Sequence, residues 1–248
     1  VRFERKAARN HLGVRQRQAR AIRFKGDIAD LDSPASGVCL AHLLKACRRD
    51  ELGLRDAAML RIAYDTAARR SELVAIDVGH IEGPDSEGAG LLHIPSSKTD
   101  RKQVGAEAYL SPATMAAIAR WRDVGRVDKG PLLRRVTTHF DGSIDSIGTE
   151  RLHPNSITLI YKRLIRRAWE KGLLGEMSET ERDRWLTAVS SHSIRVGVAQ
   201  DNFAAGEDLP AIMQAYRWRD ARTVLRYGSK LAAKSGASAR LAKRFSEQ

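Results

Sequence analysis

The hydrophobic period of this chain changes twice, and those two changes limit what it can fold into more than any other feature. From about Val38 apolar residues recur at helical spacing, first in VCLAHLLKACRR and then in LRDAAMLRIAYDTAARR. After Glu72 the pattern becomes the short, partly alternating runs VGHIEG, LLHIPS and GAEAYL, separated by Gly, Pro and charged turns. These predict a small antiparallel sheet. At Ser111-Pro112 helical spacing returns, with Ser as the cap and Pro in the first turn. It continues through HPNSITLIYKRLIRRAWEKG, SHSIRVGVAQDNFAAG, DLPAIMQAYRW, DARTVLRYGS and a basic terminal helix, KLAAKSGASARLAKRF. The fold class is mainly α with a small antiparallel sheet. The polar, Gly-containing stretch from about Arg134 to Glu150 follows neither period and reads as loop.

The first 25 residues hold nine Lys or Arg and one Glu and have too few apolar residues to make a core. They read as a helical tail and a basic linker. GDIADLDSPASG, rich in turn formers, marks the boundary to the main domain. At 248 residues the chain holds one sizeable core. No apolar run approaches the length of a membrane span, and the basic N-terminus lacks the apolar core of a secretory signal. Cys39 and Cys47 lie on one expected helical run, where a disulfide does not fit, so a reducing cytoplasm suits the chain. The formal charge of +13 makes nucleic acid the leading partner, because a polyanion releases counterions when it binds such a surface.

In HPNSITLIYKRLIRRAWEKG, Ile157, Ile160, Tyr161, Leu164, Ile165 and Ala168 share one helical face. Asn155, Thr158, Lys162, Arg163 and Arg166 share the opposite one, which is either a solvated surface or a face turned to DNA. Neither the histidine spacing nor the two cysteines suggest a metal site, and the chain has no Gly-rich phosphate loop and no G-x-S-x-G elbow. What remains is a set of cations suited to a phosphate: Arg69 and Arg70, Lys98 in SSKTDRKQVG, and His192 with Arg195 three residues on. Arginine forks match pairs of phosphate oxygens and neutralise the charge that develops in a pentavalent transition state. YRWRDARTVLRYGS adds a tryptophan and two tyrosines. Attack of a phenolate on a phosphodiester would conserve the energy of the broken bond as a phosphotyrosine, so that rejoining needs no ATP.

Taken in order, these pieces resemble the catalytic domain of the tyrosine recombinase (phage integrase) family, and within it the Cre-type recombinases. IAYDTAARRSELVAIDV looks like the first box, T-x-x-R-x-x-E-L. HSIRVG is similar to the second box, H-x-x-R-x-G, and IMQAYRWRDARTVLRYGS to the third, with Trp where many members have His. The likeness runs from about residue 38 to the end.

The resemblance implies a mainly α fold with a three-stranded antiparallel sheet. It casts residues 1–35 as the tail of a core-binding domain plus linker, and 36–248 as the catalytic domain. By register against Glu72, it makes Arg69 the first catalytic arginine, while Glu72 orients its neighbours and Arg70 is exposed or on the DNA backbone. Lys98 would protonate the departing 5′ oxygen, with Lys102 as the fallback. His192 would bind the phosphate or help remove the tyrosine proton, Arg195 would be the second clamp, and Trp218 would donate its indole N–H. Tyr227, nine residues after Trp218, would be the nucleophile, and Tyr216 a packed side chain. The implied activity is site-specific cleavage and rejoining of double-stranded DNA with no metal or other cofactor. A dimer to tetramer is expected on DNA and a monomer in solution, in the cytoplasm with the nucleoid. Relaxation of DNA in the manner of type IB topoisomerases, and a module that binds DNA without cutting it, are the competing readings.

Overall fold

A computed structural model describes residues 38–94, 105–235 and 237–246. The expected tail and linker (1–35), and both Lys98 and Lys102, lie outside the described residues.

The first helical run divides into α1 (Leu40–Ala46) and α2 (Glu51–Thr66). Cys39 and Cys47 flank α1, and both are free thiols. Asp50 caps α2 by accepting the Gly53 N–H at 3.1 Å. The helix runs through the centre of the fold, with Leu52, Ala58, Met59, Leu60, Ile62 and Ala63 all buried. It ends at Ala67, whose left-handed backbone (φ 44°) turns the chain sharply into the short α3 (Arg70–Val74).

The expected sheet is present, formed by β1 (Ile81–Glu82), β2 (Gly90–Ile94) and β3 (Ala106–Leu110) in antiparallel order β1-β2-β3. Leu92, Ile94, Ala108 and Leu110 face the core, while Leu91 and Tyr109 face out, as a period of two requires. Ser111 accepts the Thr114 N–H and caps α4 (Pro112–Gly125), which packs against α2 and buries Trp121 with its indole N–H on the Leu132 carbonyl at 2.7 Å.

Residues 134–151 correct the loop expectation. They form a second, two-stranded antiparallel sheet, β4 (Arg134–Thr138) and β5 (Ile144–Arg151), with an irregular register. Val136 and Ile147 pair across it and pack on the core. Polar bonds hold the rest: Thr137 Oγ1 donates to Asp145 at 2.8 Å, and Arg48 donates to the Gly142 carbonyl at 2.6 Å. One apolar pair is too sparse to show as an alternating pattern.

His153 then caps α5 (Pro154–Glu170), accepting the Asn155 N–H at 3.2 Å. The six residues expected on its core face are the six it buries. The polar α6 (Glu179–Ala188) lies against it, with the Arg182 guanidinium 4.3 Å from the Trp169 ring centroid. Next come α7 (Ser193–Ala205), α8 (Leu209–Ala215), α9 (Ala221–Ser235) and α10 (Ala237–Ser246).

The expected break after Ser229 does not occur, since α9 continues to Ser235. Gly228 serves close packing in mid-helix, because a Cβ there would lie 2.4 Å from the Phe203 ring of α7. No helix of the described residues is long and apolar enough to cross a membrane.

Candidate active site

The left-handed turn after α2 and the first turn of α3 aim Arg69. Glu72, third residue of α3, accepts the Arg69 backbone N–H at 2.9 Å on one oxygen and the Arg69 guanidinium at 2.6 Å on the other. The Glu72 side chain is 10% exposed and that of Arg69 47%, so a buried carboxylate holds an arginine that reaches the surface. Burial opposes ionisation of Glu72, but the Arg69 N–H, the Arg69 guanidinium and Arg195 outweigh it and hold the carboxyl below its ordinary range. Arg70 points elsewhere, donating to Asn155 at 3.0 Å and tying α3 to the start of α5.

Arg195 comes from α7 and is 6% exposed. Its Nη1 donates to the Ala67 carbonyl, and its guanidinium carbon lies 5.4 Å from the Trp218 ring centroid. Burial and then Arg69 push its pKa down to about 10, with Glu72 and Tyr227 opposing. Trp218 is buried, and its indole N–H has no hydrogen-bond partner among the described residues. The Tyr227 ring sits edge-on to it at 6.2 Å. Tyr227 is half-buried on α9; its carbonyl accepts from Gln200 at 3.0 Å, and the adjoining Gly228 lets α9 close on α7.

His192 stands at the start of α7, at the exposed edge, and its side chain makes no capping bond to the helix. Partial burial, then Arg195, Arg70 and Arg69, lower its pKa below 6.5, so the imidazole is neutral at neutral pH and able to take a proton. The Tyr216 hydroxyl accepts from Asn202 at 3.0 Å, and its ring packs 5.4 Å from Trp218. Tyr216 is thus a packed side chain.

Of the polar face of α5, Asn155 and Arg166 are exposed and Thr158 and Lys162 half-buried. Arg163 is engaged with the protein, paired to the buried carboxylate of Asp56, which also accepts from Arg55 at 2.9 Å. One residue at the site escaped the sequence reading. Arg217 donates through Nη2 to the Thr66 carbonyl at 3.0 Å, one peptide from the carbonyl that Arg195 holds.

A profile of the phage integrase family matches residues 39–234. The chain belongs to this family, the tyrosine recombinases. It is 33% identical over 191 residues to the recombinase Cre of Escherichia phage P1, an alignment covering 76% of this chain and 53% of Cre. It is 30% identical over 186 residues to an integrase/recombinase XerD homolog of Selenomonas ruminantium, covering 71% and 47%. The chain therefore spans about half the length of these relatives. Among solved structures it resembles the XerH recombinase bound to palindromic difH in a post-cleavage complex (TM-score 0.54, 15% identity, 87% of this chain and 53% of that one). It also resembles XerA recombinase (TM-score 0.53, 16% identity, 79% and 60%). These likenesses identify the fold as that of the Xer recombinases.

Proposed function

We propose that this chain cuts and rejoins double-stranded DNA at specific sites through a 3′-phosphotyrosine, without metal or ATP. The observation that carries the reading is the convergence of Arg69, Arg195 and Trp218 beside Tyr227, with more cationic charge than Glu72 neutralises. A phosphodiester supplies the missing anion, and its pentavalent transition state supplies more negative charge still.

In the proposed step the Tyr227 oxygen forms a bond to phosphorus and the bond to the 5′ oxygen breaks. The phenolic proton passes to neutral His192 or to water, and the departing oxygen gains a proton from Lys98, or from Lys102 if that lysine takes the role. Arg69 and Arg195 clamp the non-bridging oxygens, and Trp218 donates to one of them. Attack by a free 5′ hydroxyl reverses each step and restores the strand.

Arg70, Asn155, Thr158, Lys162 and Arg166 are assigned to the DNA surface, with Arg163 contributing charge from its pair with Asp56. In this reading residues 36–248 are the catalytic domain, residues 1–35 the tail and linker leading into it, and the cytoplasmic nucleoid the place of action. On DNA the chain assembles into dimers or tetramers. Leu241 and Phe245 on α10, 54% and 69% exposed, offer an apolar contact to a neighbouring copy.

The test is covalent capture. Binding sites are selected from random DNA, nicked near the cut so that religation fails, and incubated with wild type, Tyr227→Phe and Tyr216→Phe. Wild type and Tyr216→Phe should form a denaturant-resistant adduct, and Tyr227→Phe none. An adduct with Tyr227→Phe would remove Tyr227 as nucleophile, and binding without any adduct from wild type would favour a module that does not cut.

A further inference from the structure

The last turn of α8 closes as that of α4 does, around an arginine with left-handed backbone. The backbone N–H of Trp218 donates back to the Met213 carbonyl at 2.9 Å, and Arg217 stands between them in the left-handed region at φ 55°. This arrangement at a helix C-terminus is ordinarily built on glycine, because a Cβ is strained there. The backbone gains nothing from an arginine at that position, and what Arg217 adds is its side chain.

The side chain reaches into the cleavage site. Nη2 is fixed on the Thr66 carbonyl at 3.0 Å. A guanidinium is a rigid fork, so anchoring one nitrogen sets the direction of the other. That other nitrogen, Nη1, is buried without a hydrogen-bond partner. Of the four such side-chain atoms among the described residues, two belong to the consecutive residues Arg217 and Trp218. Both are donors. Burial lowers the Arg217 pKa, Glu72 opposes the shift and Arg69 adds to it, which places the guanidinium within electrostatic range of the first-box pair. Arg69 is thus paired with Glu72, and Arg195 and Arg217 both feel its charge.

We infer that Arg217 is a third arginine of the cleavage site, its Nη1 donating to the DNA phosphate beside the Trp218 indole while Nη2 holds the turn that carries Arg69. The inference rests on the cleavage reading above. The anion is the same phosphodiester: it satisfies two donors that the protein leaves unpaired and balances the excess charge of Arg69, Arg195 and Arg217 over Glu72.

The experiment uses Arg217→Gly, which the backbone favours, and Arg217→Asn, which tolerates the same conformation. Adduct formation on nicked DNA is timed with a normal phosphate and with a neutral methylphosphonate at the cut, and thermal melts verify folding. On the phosphate both variants should slow at least about tenfold, the scale of losing one donor to a developing charge. On the methylphosphonate, which needs less neutralisation, the deficit should shrink to roughly twofold to threefold. An unchanged rate on the phosphate overturns the inference. A deficit of equal size on both substrates also overturns it, leaving Arg217 only the holding of the turn. Were Arg217→Gly to unfold, Arg217→Asn carries the same comparison. Failure of wild type to form any adduct would overturn the cleavage reading and this inference together, whereas a wild-type adduct with fully active variants would overturn the inference alone.

Discussion

Two groups of arginines around a single buried carboxylate lie along α2, and they are built in opposite ways. In its first half Asp56, 2% exposed, receives Arg55 on one oxygen and Arg163 on the other, and Arg55 spends a second donor on the Arg134 carbonyl at 2.9 Å. Beyond its last turn Glu72 receives only Arg69, while Arg195 and Arg217 grip backbone carbonyls and donors of Arg217 and Trp218 remain unpaired. The residue types are the same. The first group, in which both carboxylate oxygens are paired and no buried donor of Arg55 or Arg163 is left without a partner, joins α2 to α5 and β4, whereas one with buried donors to spare suits an anion from outside.

This contrast can be broken by mutation. Asp56→Ala leaves buried arginine charge uncompensated and should cost about 3–5 kcal/mol of stability, read as a lower denaturation midpoint. The fraction that remains folded should still form adduct, and loss of adduct at full stability would erase the distinction between the two groups. Arg69→Ala should do the reverse, slowing adduct formation by about 10²–10³-fold while lowering stability less than Asp56→Ala does, because the Arg69 backbone N–H and Arg195 still face Glu72. Arg70→Ala, its neighbour, should weaken DNA binding by only about 1 kcal/mol and lower the salt dependence of binding by about one counterion, measured by titration at several salt concentrations. If Arg70→Ala were the inactive one, the register of the turn would be wrong by a residue.

The smallest effect is a pH dependence. Because His192 is held below its ordinary 6.5, it stays neutral as pH falls through that value, and adduct formation should be level from about pH 8 to 6.5 and decline only below. In His192→Asn this acid limb should disappear. Stability follows the same sign: the unfolded chain takes up the His192 proton first, so acidification below 6.5 favours unfolding. Glu72 adds a second loss further down, since its contribution is complete above 4.5 and is lost as pH falls through its lowered folded value.

Where a feature has a period or a fixed spacing, this sequence makes it visible. The core face of α5 and the small antiparallel sheet follow from spacing, whereas the preference for Arg69 over Arg70 comes from the family resemblance; in the fold Arg69 pairs with Glu72 and Arg70 with Asn155. The β4–β5 hairpin and α6 have no such period, being held by side-chain hydrogen bonds and by Arg182 on Trp169. DARTVLRYGS and the start of KLAAKSGASARLAKRF form one helix because Gly228 admits Phe203 rather than ending the turn, and a glycine of either kind is written the same way. Arg163 was ambiguous because its partner, Asp56, lies 107 residues away. Arg217 escaped because the sign of φ at a non-glycine residue is not legible from its letter.

The carbonyls of Thr66 and Ala67 at the end of α2 are held by two arginines of the candidate site, Arg217 and Arg195. A helix C-terminus carries partial negative charge, so these cations also serve as its cap. Removal of Arg195 would leave the central helix of the fold unfinished, whatever the chain does to DNA.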